Sequence, residues 1–361
     1  AGPEQSSYLE LAKLHGGTFV PVLETRGLNP FPPRGAGPSA GRGGGVSGET
    51  VRMLLTLCDL LTENQSRTKD AALSRTLLGR ALQALYTDPI HARLEPSFPA
   101  LLEVLERSPE GEEEVERARR QVLARLLRHA LQSPGGHLFA STERLPGGVE
   151  HPFLVYDLFG VEGFSPEIRE ALVYSVCCAV RRLAFAESIE GEAKKYVVLD
   201  EVAQLVRQPG VVALVQELLA TSRKHDTSVW VVTQKYTDFV GSGLADAVRS
   251  NTTVQVLLSH MSDQAGRDLV VRDLALDDRE AELFRSLTVK KGQYSQFLLR
   301  SFDTTGKQSM KLRLSLSPFE YQLFTSDAAD RARQRALRRA HPDLSSTEIL
   351  SLAARAEGAP K

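Results

Sequence analysis

The segment Tyr196–Glu201 constrains the fold of this chain more than any other part of the sequence. Four apolar residues, Tyr196 to Leu199, are followed directly by two carboxylates, Asp200 and Glu201. Aromatic and β-branched residues favour a buried strand, and in open α/β sheets the chemistry lies at the carboxyl ends of the strands. In nucleotide hydrolases one carboxylate at such a point holds Mg²⁺, usually through water, and a second polarises the attacking water. The alternative is an acidic helix start, since Asp and Glu stabilise helix N-termini.

Length and composition limit the classes of protein that the chain can represent. With 361 residues it exceeds a typical single core, so we expect two units or one large domain with an insertion. A formal net charge of −1 gives no overall attraction to nucleic acid or to a membrane. The sequence has no run of about 20 apolar residues and no secretory signal, so we expect no integral membrane segment. Three cysteines are too few for a disulfide framework, which favours a reducing compartment.

The order of sequence patterns predicts an α/β fold with a mostly parallel sheet and an all-helical insertion. Near-continuous apolar strands that alternate with helices are typical of a parallel sheet covered on both faces, whereas Glu49 to about Gln132 has helical periodicity only. We expect four segments. They are the first part of the core with a Gly-rich loop (1–48), the helical insertion (49–135), the main part of the core (136–322) and a basic helical tail (323–361).

Two further groups of polar residues follow or precede predicted strands. Gln234 comes directly after the strand Ser228–Thr233, and a strand-end amide can orient a water or sense a terminal phosphate. The alternative for Gln234 is a simple turn cap. Arg223 and Lys224 end the preceding helix, where cations stabilise the helix C-terminus. Either cation could also reach a phosphate, as an arginine finger does across a subunit interface.

The sequence contains no phosphate-binding loop of the G-x-x-x-x-G-K-[ST] type. That pattern needs Lys and then Ser or Thr after its last glycine. Neither Arg42–Gly45 nor Gly306–Gln308 meets this requirement. The surrounding stretch Arg34–Gly48 is Gly-rich without apolar anchors, which is typical of a flexible loop.

Several segments together resemble the conjugative-transfer ATPases of the TraC and VirB-four type, which energise type IV secretion. The segments are Val197–Leu205, Thr221–His225, Trp230–Phe239 and Asn251–Leu258. Upstream, Ser7–Val20 and Leu28–Phe31 resemble the part of these ATPases that follows the Walker A helix, so the resemblance covers most of the chain. It implies a RecA-like P-loop NTPase core, with a Walker B motif in residues 136–322, that uses ATP and Mg²⁺.

The resemblance also implies a role for each candidate residue. Asp200 would bind Mg²⁺, through water, and Glu201 would activate the attacking water. Gln234 would act as the sensor, Arg223 as a catalytic phosphate contact and Lys224 as a nucleotide-binding cation. In this family the Walker A motif lies just upstream of the point where this chain starts. We therefore expect a C-terminal portion of a longer ATPase, with little or no hydrolysis by this chain alone.

Three functions are compatible with these patterns. The resemblance implies an ATP-hydrolysing motor subunit for type IV secretion or conjugative DNA transfer. Such a subunit would form a homo-oligomer, a hexameric ring, with other secretion subunits at the cytoplasmic face of the bacterial inner membrane. The second function is a DNA-pumping translocase of the same superfamily, whose DNA contact would come from the Arg-rich helix Asp327–Ala340. The third is a non-catalytic scaffold that retains the fold.

Overall fold

The computed structural model describes nine stretches of the chain, in which helices and strands alternate. The stretches are 7–34, 46–62, 71–147, 152–186, 194–202, 209–234, 236–241, 243–259 and 264–357. Most of the predicted Gly-rich loop, residues 35–45, lies outside them. The helices are α1 (Ser7–Leu14), α2 (Gly48–Leu61), α3 (Ala71–Thr87), α4 (Phe98–Glu106), α5 (Glu114–Gln132), α6 (Pro166–Phe185), α7 (Pro209–Thr221), α8 (Tyr236–Val240), α9 (Ala245–Asn251), α10 (Gln264–Asp273), α11 (Asp278–Arg285), α12 (Pro318–Phe324), α13 (Ala328–Ala340) and α14 (Ser346–Glu357). The strands are β1 (Thr18–Pro21), β2 (Leu154–Asp157), β3 (Lys195–Leu199), β4 (Thr227–Val231), β5 (Val254–Leu258), β6 (Val289–Lys290), β7 (Tyr294–Asp303) and β8 (Gly306–Leu314).

The chain divides into two compact units. The first contains Ala1–Phe19, Pro152–Val155 and Glu192–Lys361, and the second contains Val20–His151 and Tyr156–Gly191. These boundaries differ from those of the four predicted segments. The helical insertion was expected to end at residue 135, but α6 packs against α2 and so belongs to the same unit as the helices of that insertion. No helix in the described ranges is both long and apolar enough to cross a bilayer.

The second unit is held together by a helical core around three aromatic rings. Phe98 lies edge-on to Phe31 at a centroid distance of 5.0 Å and edge-on to Phe139 at 5.8 Å, an arrangement that the ring quadrupoles favour. Among the described residues of this unit, three helices begin with a serine cap. The side chains of Ser47, Ser97 and Ser165 accept from backbone amides at the starts of α2, α4 and α6. The helices predicted between Glu49 and Gln132 are present as α2 to α5.

In the first unit, β3 and β4 pair in parallel, with α7 between them in the sequence. The register places Lys195 beside Thr227 and Leu199 beside Val231. Parallel strands need a crossover connection, and α7 supplies part of it. The parallel pairing predicted for the Asp200 strand is therefore present. The strands β5 to β8 form a separate, antiparallel sheet in the order β5-β7-β6, with β8 also paired to β7.

A buried ion pair joins α11 to this antiparallel sheet. Glu280 and Arg300 are each only 2% exposed, and Arg300 Nε lies 3.0 Å from Glu280 Oε1 while Nη2 lies 3.2 Å from Oε2. Lys307 Nζ donates to Glu280 Oε2 at 2.9 Å, and Ser309 also donates to the carboxylate. Burial by itself would raise the pKa of Glu280, but the hydrogen bonds from Ser309, Lys307 and Arg300 lower it to about 2.

Candidate functional site

The carboxyl end of β3 turns sharply at the Asp200–Glu201 pair. Val232 N–H donates to the Leu199 carbonyl at 2.9 Å, and Val202 N–H donates back to the Val232 carbonyl at 3.0 Å. Between these two bonds Glu201 has a φ of 50°, in the left-handed region that non-glycine residues rarely occupy. Val202 is fully buried, which holds the far side of the turn in place. Strain of this kind concentrates at functional sites, and here it falls on the residue predicted to activate water.

Both oxygens of the Asp200 carboxylate have a donor. Tyr8 Oη, on α1, donates to Oδ2 at 2.7 Å, and the amide of Glu201 donates to Oδ1 at 3.0 Å. Burial raises the pKa of Tyr8, and the hydrogen bond to Asp200 and the charges of Asp200 and Glu201 raise it further. The phenol therefore keeps its proton at neutral pH and is the donor in this bond. The Asp200 side chain itself remains exposed.

Gln234 lies at the same edge of the strand pair as Asp200. The bonds between Val232 and both Leu199 and Val202 place the segment after β4 beside the turn after β3. Gln234, two residues past Val232, is exposed. The structure thus brings Asp200, Glu201 and Gln234 to one edge, as expected for residues that follow neighbouring parallel strands.

Arg223 and Lys224 lie at the opposite edge. They belong to a short 3₁₀ helix, Ser222–His225, that immediately precedes β4, and the following Asp226 accepts a hydrogen bond from the amide of Lys195 at the start of β3. The five residues of β3 span about 16 Å. Within one chain these cations are therefore about a strand length away from Asp200. Both side chains are exposed, so a contact across a subunit interface stays a prediction.

The residues at the Asp200 edge are of the kind that a protein contributes to a site for Mg²⁺ and a nucleotide. Mg²⁺ in such sites keeps several waters and binds one or two carboxylates together with substrate phosphates. The described ranges hold no cluster of three or more His, Cys, Asp or Glu side chains suited to a metal. Asp200 and Glu201 could hold a hydrated Mg²⁺, whereas the donors that cradle phosphates would have to come from another segment or chain.

One face of the β3–β4 pair is apolar and exposed. Tyr196 is 66% exposed and Trp230 is 54% exposed, and Val198 and Val232 lie on the same face. The opposite face is half-buried or buried, with Leu199 and Thr227 among the buried residues. Parallel sheets are normally covered on both faces, whereas this face of the β3–β4 pair is exposed.

The comparisons with known proteins establish the family. The sequence matches the model of the TraG P-loop domain over residues 142–356, more than half of the chain. The chain belongs to this family. The matched range includes Asp200, Glu201 and Gln234, and the match confirms the resemblance to conjugative-transfer ATPases.

The fold of the chain is similar to that of solved structures. VirB4 of Thermoanaerobacter pseudethanolicus is similar with a TM-score of 0.63 and 19% identity, over 87% of this chain and 80% of that one. This likeness confirms the predicted α/β fold of the P-loop NTPase class. The unbound bacterial conjugative coupling protein TrwB has a TM-score of 0.40 and 13% identity, over 87% of this chain and 75% of that one. A comparison with curated proteins gives no match.

Tyr8 is a site residue that sequence reasoning missed. Its place in the periodicity of the first helix predicts only an apolar packing position, together with Leu11 and Leu14. Nothing in the sequence connects it to a carboxylate 192 positions away. Only the packing of α1 beside the end of β3 reveals the contact.

Proposed function

We propose that this chain is the ATPase core of a motor subunit that energises type IV secretion or conjugative DNA transfer, acting as an oligomeric ring at the cytoplasmic face of the bacterial inner membrane. The observation that carries the proposal is the turn after β3. It presents the Asp200 and Glu201 carboxylates at the carboxyl end of a parallel strand, beside the segment that carries Gln234. Membership of the TraG P-loop domain family supports the same reading.

In this mechanism ATP supplies the phosphoryl group and Mg²⁺ neutralises the charge on its phosphates. Asp200 would hold the hydrated Mg²⁺ through its carboxylate, and Glu201 would accept a proton from the attacking water. Gln234 would orient that water or sense the terminal phosphate. Arg223 would serve a neighbouring subunit, because it lies at the far edge of the strand pair from its own Asp200.

The decisive test is Glu201→Gln in the full-length gene product, measured as ATP hydrolysis and as ATP binding. A general base contributes about 10²–10⁴-fold to the rate, so we expect hydrolysis to fall by at least about 100-fold while ATP binding is retained. Asp226→Asn is the matched control. Asp226 is an exposed carboxylate with the same φ of 50°, at the opposite end of the same strand pair.

The result also separates the motor from a scaffold. Normal hydrolysis by Glu201→Gln would show that Glu201 does not activate the attacking water. A full-length protein that neither binds nor hydrolyses ATP would favour the non-catalytic scaffold. Loss of hydrolysis in both variants would point to a general structural defect rather than to water activation.

A DNA-pumping translocase remains the second candidate function because several arginine side chains of the basic helix α13 are exposed and could contact DNA. Arg333, Arg335 and Arg339 are exposed, whereas Arg338 is half-buried and lies 2.9 Å from the buried Glu10. The triple change of the exposed arginines to Glu therefore tests DNA binding without breaking that ion pair. Salt-dependent DNA binding in a gel-shift titration that the triple change abolishes would favour the pump.

A further inference from the structure

Tyr8 brings the hydroxyl of helix α1 to a carboxylate at the proposed Mg²⁺ site. Its Oη donates to Asp200 Oδ2 at 2.7 Å, a length typical of a hydrogen bond to an ionised carboxylate. The Glu201 amide donates to the other oxygen, Oδ1, at 3.0 Å. Because each oxygen has its own donor, rotation of the carboxylate about its Cβ–Cγ bond is restricted.

The helix that carries Tyr8 is anchored independently of Asp200. Glu10, two residues further on, is 5% exposed and accepts from Arg338 Nη2 at 2.9 Å. Beyond the other end of α1, the Gly17 amide donates to the Ala12 carbonyl at 2.7 Å. A Cβ on Gly17 would lie only 2.4 Å from the carbonyl oxygen of Phe153, so the chain after α1 passes close to the residue that precedes β2. These contacts hold the phenol in place while Asp200 itself is exposed.

We propose that Tyr8 is a positioning residue for Mg²⁺, which holds the Asp200 carboxylate in the orientation that accepts hydrogen bonds from metal-bound water. The inference rests on the proposed ATPase function. An ionised carboxylate has about four lone-pair sites, and the Tyr8 and Glu201 donors use two of them. With the carboxylate held by these two bonds, the remaining sites point in fixed directions. Tyr8 would act on the metal through Asp200, to which its hydroxyl donates.

Tyr8→Phe removes one oxygen atom and leaves the ring in place. Hydrogen-bond partners of direct metal ligands contribute about 10–100-fold to metal affinity, and Tyr8 acts one step further from the metal, so its effect should lie at the low end of that range. We expect Tyr8→Phe to raise the Mg²⁺ concentration needed for half-maximal hydrolysis about 10-fold. The kcat at saturating Mg²⁺ should stay within about twofold of the wild-type value, because bound Mg²⁺ itself then holds the Asp200 carboxylate in the correct orientation.

The experiment compares wild type, Tyr8→Phe, Asp200→Asn and the double variant in the full-length gene product. Mn²⁺, used in place of Mg²⁺, is titrated into nucleotide-bound protein, and the free ion is followed by electron paramagnetic resonance, so that one readout does not depend on turnover. Tyr321→Phe is the matched control, because Tyr321 Oη donates to Asp330 Oδ2 at 3.0 Å in the C-terminal helices. That variant loses the same kind of bond away from Asp200 and should keep the affinity of wild type.

The outcomes distinguish the inference from the function on which it rests. About 10-fold weaker Mn²⁺ binding in Tyr8→Phe, with no further loss when Asp200→Asn is already present, is the expected result. Unchanged or tighter binding in Tyr8→Phe, while wild type hydrolyses ATP, overturns the role of Tyr8 alone. Tighter binding would mean that the phenol competes with the metal water. A wild type without metal-dependent nucleotide hydrolysis overturns both proposals together.

Discussion

Glu280→Gln is expected to destabilise the chain by about 3 kcal/mol at pH 7 and by only about 1 kcal/mol at pH 3. The carboxylate of Glu280 is buried against Arg300 and accepts from Lys307 and Ser309 as well, which lowers its pKa from 4.5 to about 2. Gln retains the shape but presents an amide NH₂ to several donors. Removal of one partner of a buried ion pair typically costs about 3–5 kcal/mol.

The pH dependence follows from the direction of the shift. Because the pKa of Glu280 is lower in the folded state than in the unfolded state, its stabilisation is fully present above the unfolded-state value. It is lost as the pH falls from about 4.5 towards 2. The difference between wild type and Glu280→Gln should therefore shrink by about 2 kcal/mol between pH 7 and pH 3.

Urea denaturation at both pH values measures this difference. Glu280 is the third residue of α11 and completes a capping box with Asp277. Glu320→Gln is the matched control, because Glu320 occupies the same position in the capping box of α12 but is exposed. Its effect should be much smaller. A stability difference for Glu280→Gln that does not change with pH would show that Glu280 is not ionised against Arg300, and the reasoning would fail.

Two further predictions concern packing in the two units. In the second unit, Gly136→Ala should be strongly destabilising in thermal unfolding, since the added Cβ would lie 1.8 Å from the Ala130 carbonyl oxygen. The control is Gly79→Ala in the middle of α3, where a Cβ meets no atom within 4 Å, and it should stabilise by about 0.5–1 kcal/mol. Equal effects of the two changes would contradict the close approach at Gly136. In the first unit, the double variant Val198→Thr/Val232→Thr changes the exposed apolar face. It should lower binding of the dye ANS with little loss of stability. The double variant Val197→Thr/Val231→Thr changes the opposite, half-buried face and should destabilise the fold. Unchanged dye binding in the first pair would mean that this face is already covered.

Much of the fold could be predicted because local patterns are sufficient for it. The apolar run before Asp200 predicts a strand, and the periodic stripes after Glu49 predict helices, since side-chain periodicity reflects which face is buried. The unit boundaries could not be predicted in this way. They depend on α6 packing against α2, a contact between distant segments that leaves no local pattern.

The sequence by itself determined that Asp200 and Glu201 follow a strand and that Gln234 follows its neighbour, because strand ends are local features. Only the tertiary structure decided which groups meet there. The parallel register places Gln234 at the Asp200 edge and Arg223 at the other, and the packing of α1 adds the Tyr8 hydroxyl. The physical reason is that a contact between residues far apart in the sequence is set by register and packing of whole elements, which no short pattern contains.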